Sequence, residues 1–110
     1  MDIRKITSHD EYAEQFRLKA EEWARFNGEA DRLEHMRKIV LGELVNQIGG
    51  PIGKAEHEAH AHGKYQLHIG YMTEARTRAN IAKAQMEAMR MRFEGWRTKN
   101  ATRRAEMKVL

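Results

Sequence analysis

Gly49-Gly50-Pro51-Ile52-Gly53 separates two stretches in which apolar residues recur every three or four positions, and that interruption decides the fold. Paired glycines end a helix, and a proline keeps it ended because its ring crowds the preceding turn and its nitrogen donates nothing. Before the break, Tyr12, Phe16, Ala20, Trp23, Phe26, Ala30, Leu33, Val40, Leu44 and Ile48 keep helical spacing. Arg37 stands where an apolar residue is expected, with Met36 beside it. After the break, Tyr65, His68, Met72, Ala75, Ala79, Ala82, Met86, Met89, Phe93 and Trp96 alternate three and four in a coiled-coil-like pattern. The alanine centre of that second stripe lets a neighbouring helix come close.

Working outward, Ser8-His9-Asp10-Glu11 reads as a capping box. Gly28 costs roughly 1 kcal/mol inside a helix, but the stripe stays in phase on both sides of it. The pattern therefore predicts one helix over residues 9–48, a turn at 49–53 and a second helix over 54–105 with a kink near Gly63. All of this fits one domain, residues 1–110. The short connection folds the helices back on each other, so the fold class is all-α, an antiparallel helical hairpin. Trp23, Phe26, Leu33, Ile39, Val40 and Leu41 span more than one narrow seam, and a lone hairpin would leave an apolar patch exposed. Assembly into a helical-bundle oligomer is the expectation, with Trp23, Phe26, Leu33, Val40, Met86, Met89, Phe93 and Trp96 at its interface.

Charged residues are 33% of the chain and aromatics 7%, a balance suited to long helices with narrow apolar stripes. With no cysteine, disulfides and thiolate metal sites are excluded. No apolar h-region follows Met1, and the longest apolar run is Ile39-Val40-Leu41, so neither a secretory signal nor a membrane span is expected. The charge is unevenly placed. Residues 76–110 hold ten basic and three acidic residues, a net of +7, whereas residues 1–75 hold ten and thirteen, a net of −3. Such asymmetry points to an anionic partner at one end, or to charge matching between chains.

Two clusters carry candidate chemistry. His57, His60, His62 and His68 with Glu56 and Glu58 include pairs three and four apart, where imidazole and carboxylate share a helix face and could share a metal. They lack the HExxH spacing and a second ligand cluster, so the reading is a solvated polar segment, with no metal or cofactor expected. Arg90, Arg92, Arg97, Lys99, Arg103 and Arg104, interleaved with Phe93 and Trp96, are the residue types that neutralise phosphates and stack bases. Phe93 and Trp96 are in phase with Met86 and Met89, which makes them core residues and leaves the cations as the candidate nucleic-acid surface. No glycine-rich phosphate loop, nucleophile elbow or carboxylate pair is present, which argues against an enzyme.

The second helix, through Tyr65, Ala75-Arg76, Ala79-Asn80, Ala82-Lys83-Ala84, Glu87-Ala88, Phe93-Glu94-Gly95-Trp96-Arg97 and Ala101-Thr102-Arg103-Arg104-Ala105-Glu106-Met107, resembles small helical proteins of tailed bacteriophages and prophages encoded near single-strand annealing recombinase genes. With the first helix included, the resemblance covers about residues 12–107. It implies a non-catalytic accessory role in phage DNA recombination or replication, in the cytoplasm of the bacterial host. The partners it implies are single- or double-stranded DNA, a recombinase or a single-strand-binding protein, besides further copies of the chain. The alternative is a protein–protein adaptor or inhibitor that binds no nucleic acid.

Overall fold

The computed structural model describes residues 9–109 and is all-helical over them, with no strand. Three helices follow in order: α1 (His9–Ile48), α2 (Ile52–Ala61) and α3 (Gly63–Val109). Ser8, the first residue of the capping box, lies outside the described residues. Gly28 does not interrupt α1. Gly49 and Gly50 adopt φ of +70° and +80°, which a side chain would strain, and the Gly49 amide donates to the Val45 carbonyl at 3.0 Å. Pro51 precedes α2 with φ fixed at −58°, and its carbonyl accepts from Ala55 at 2.9 Å, so the second helix begins immediately after the ring.

The break expected near Gly63 falls one residue earlier. His62 is extended, with ψ of 140°, while Gly63 is already helical. The cause is a cap. His62 Nδ1 accepts the Lys64 amide at 3.1 Å, the His62 carbonyl accepts the Gln66 amide, and the Gln66 side chain donates to the His60 carbonyl at 2.8 Å.

The chain divides into two compact units. One comprises Ala24–Asn80; the other combines the residues up to Trp23 with those from Ile81 onward. In the first, α1 runs antiparallel to α3, and two small cores form. Ala30, Ala75 and Ala79 are buried with Phe26 and Leu33 against them, and Leu44, Ala59 and Tyr65 are buried beneath Val40, Leu41, Val45, Ile48 and Ile69. Alanine at four of these six buried positions, and at Ala55, brings helix backbones close together but contributes little apolar area per residue. Met36 is half-buried and Arg37 exposed, so the place expected to fall on Arg37 is taken by its neighbour: Leu33, Met36 and Val40 continue the stripe and the arginine stands outside it.

Polar contacts fix the register of this unit. Arg76 Nε, Nη1 and Nη2 donate to Glu34 at 2.9 Å, Asn27 at 2.8 Å and Asp31 at 2.7 Å, three acceptors on one face of α1. These hydrogen bonds, first to Glu34 and then to Asp31, hold the guanidinium above its ordinary value. Buried His68 donates from Nε2 to the Leu33 carbonyl at 2.7 Å, which satisfies the ring nitrogen facing the core.

In the second unit α1 again runs antiparallel to α3, with Ala82 and Met89 buried. Its end is aromatic: Tyr12 lies 5.6 Å from Phe93 and 5.4 Å from Trp96, and His9 meets the Phe93 ring edge-on at 5.1 Å. No helix among the described residues is long and apolar enough to cross a membrane.

Candidate nucleic-acid interface

A seven-residue recurrence organises the basic end of α3. The seam there runs through Ala82, Met86, Met89, Phe93 and Trp96, so one flank of it is Lys83, Arg90, Arg97 and Arg104. Successive members sit about 10.5 Å apart along the helix, and the row extends for roughly 31 Å. The opposite flank carries Gln85, Arg92 and Lys99, while Arg103 continues the line of the seam past Trp96. All seven cations are exposed. Lys83 stands outside the cluster that local sequence composition singles out; its signal is the recurrence at 83, 90, 97 and 104, which a reading by clustering passes over.

What separates this row from the other arginines is the lack of ion pairs, although Glu87 and Glu94 lie three or four positions from Lys83, Arg90 and Arg97. Arg17 pairs with Glu14 and Glu21 at 2.6 Å, and Arg32 pairs with Glu29 at 2.9 Å. Arg76, seven residues before Lys83, has its three acceptors on α1. At the positions equivalent for Arg90, two heptads on, α1 has Ala13, Arg17 and Ala20 in place of Asn27, Asp31 and Glu34. Among the described residues, Lys83, Arg90, Arg92, Arg97, Lys99, Arg103 and Arg104 make no ion pair; Arg97 instead lies over the Phe93 ring at 5.8 Å. No carboxylate is bonded to these cations, so they stand at the surface where a phosphate can reach them.

Beyond the aromatic end, an open depression of about 800 Å³ is lined by His9, Glu94, Trp96, Arg97, Arg103 and Arg104 among others. Residues 101–108 are all exposed. Phe93 and Trp96 stack at 6.1 Å on one another and pack on Tyr12, so both rings are engaged within the chain. Phosphate contact is the chemistry the exposed side chains offer, and base stacking is subordinate to it.

Of the eight residues expected between copies, Met89 is buried and the other seven are half-buried. Phe26, Leu33 and Val40 pack onto the two small cores, and Met89 is buried. Phe93 and Trp96 belong to the aromatic end, and Trp23 and Met86 are half-buried. Contacts within the chain engage Phe26, Leu33, Val40, Phe93 and Trp96. The histidines also have local duties: His60 Nδ1 donates to the Glu56 carbonyl at 2.7 Å, while His62 and His68 are bonded as described. No three His, Asp or Glu side chains converge as metal ligands among the described residues.

No family model, curated protein or solved structure matches this chain.

Proposed function

We propose that this chain is a non-catalytic accessory protein that binds single-stranded DNA through the basic row of α3, in phage recombination or replication. The observation carrying the reading is the row Lys83, Arg90, Arg97 and Arg104 without bonded carboxylates, continued by Arg103 within the net +7 of residues 76–110. The phage setting rests on the resemblance of residues 12–107 and the ligand class rests on the charge.

Geometry favours the single strand. A straight row of roughly 31 Å is nearly one duplex turn long, ~34 Å, so a duplex strand winds away from it within a few phosphates. A flexible single strand can follow the row and place one phosphate at each cation. The mechanism is electrostatic: each neutralised phosphate releases a condensed counterion, and binding weakens as salt rises.

Fluorescence anisotropy with a labelled single strand and its duplex tests this. Binding should be tighter to the single strand and should fall by about 50- to 100-fold between about 50 and about 200 mM salt if about four or five cations engage it. Absence of binding to either form at low salt would remove the reading and leave the adaptor alternative, in which the same cations dock an acidic protein surface.

A further inference from the structure

The outer face of α3, opposite the seam, carries its own heptad pattern. Ile81, Ala84, Ala88, Met91, Gly95 and Thr98 recur at alternating intervals of three and four, and all are exposed. Ile81 is 54% and Met91 67% exposed, although both are large apolar side chains. At Gly95 an added Cβ would meet nothing within 4 Å, so this face is open. The residues on either side differ in sign. Glu87 and Glu94 border it on one side, Arg92 and Lys99 on the other. All four are exposed, and none makes an ion pair with a described residue.

We infer that this face is where two copies of the chain associate, their α3 helices side by side and parallel. In a parallel pair of heptad helices, a bordering residue on one helix meets the residue five positions later on the other. Glu87 of one copy then meets Arg92 of the other, and Glu94 meets Lys99, with the same two pairs repeated by symmetry. Four ion pairs border one apolar line. In the antiparallel arrangement each border faces its own kind, so Glu87 and Glu94 confront carboxylates while Arg92 and Lys99 confront cations. Like charges there are destabilising, which selects the parallel arrangement. The small side chains of Ala84, Ala88 and Gly95 allow the backbones to approach closely, and Ile81 and Met91 are withdrawn from water.

The mixed border also identifies the occupant. DNA presents negative charge alone and offers no counterpart to Glu87 and Glu94 on this face. A second copy supplies both signs in matching order. The inference is independent of DNA binding: it assigns Arg92 and Lys99 to the pair of copies and leaves Lys83, Arg90, Arg97 and Arg104 on a different flank of the helix.

Charge exchange tests it on the full chain, by light-scattering mass after size exclusion. The unmodified protein should elute at twice the chain mass. Glu87→Lys with Glu94→Lys, and separately Arg92→Glu with Lys99→Glu, should each elute at the single-chain mass. Their equimolar mixture should recover the doubled mass, because each now complements the other. All four positions are exposed, and circular dichroism of each variant confirms that it remains helical. For orientation, Ala84→Cys and Thr98→Cys are made separately in this cysteine-free chain. Both should form disulfide-linked dimers on mild oxidation, whereas antiparallel pairing brings at most one of the two sites onto its own copy. A single-chain mass for the unmodified protein overturns the inference. So does a doubled mass that neither exchange alters, a mixture that stays at single mass, or cross-linking at only one cysteine site.

Discussion

At the scale of single residues, the positions that shape this chain are those with no side-chain freedom to spare. Gly49 and Gly50 hold positive φ, and the glycine pair followed by proline made the turn legible from sequence alone. His62 was not legible in the same way. It sits in a histidine-rich stretch whose obvious chemistry is metal binding, and its use as a helix cap depends on one ring nitrogen reaching an amide two residues on. Histidine is an uncommon cap, since serine, threonine, asparagine and aspartate dominate that position. If the cap separates α2 from α3, His62→Ala should lower stability by about 1 kcal/mol and His62→Asn should restore most of it. Urea denaturation followed by circular dichroism measures both. Equal losses in the two variants would mean that the break is imposed by packing and not by the imidazole.

At the scale of elements, the stripes were readable because each position contributes to a period, and a one-residue misplacement such as Arg37 for Met36 leaves that period intact. The long-range polar contacts were not, since they join residues far apart in the chain. Arg76 lies beside the α3 stripe next to Ala75, and its fork reaches Asn27, Asp31 and Glu34, acceptors at least 42 positions away. The planar guanidinium presents donors in fixed directions, and a lysine at this site supplies a single compact charge. Arg32, by contrast, pairs with Glu29 on its own helix, an exposed contact of the kind that contributes little. Arg76→Ala should therefore depress the thermal midpoint more than Arg32→Ala, and Arg76→Lys should recover only part of the loss. Similar shifts for Arg76→Ala and Arg32→Ala would reduce the fork to another solvated ion pair.

At the scale of the whole molecule, charge separation was visible in the sequence, but its consequence was not. Net charge by segment pointed to an anionic partner; it could not say which cations are neutralised at home. That depends on α1 placing acceptors against Arg76 and alanines, Ala13 and Ala20, at the equivalent positions further along. The basic row and the mixed-sign face then lie on different sides of one helix, so binding of a strand and pairing of copies are separable. Replacing Lys83, Arg90, Arg97 and Arg104 by glutamine should leave the doubled mass intact. It should also flatten the dependence of log affinity on log salt by roughly 2.8 for a single strand, at ~0.7 for each phosphate no longer neutralised. Replacing Arg92 and Lys99 by glutamine should do the reverse, lowering the mass at a given protein concentration while each chain keeps its row. Strand binding would then weaken mainly because two rows no longer act together on one strand, and affinity per chain would change little. Anisotropy at several salt concentrations, with light scattering on the same samples, separates the two variants. If the row variant keeps the unmodified salt dependence, the contacts that hold the strand lie elsewhere on the molecule.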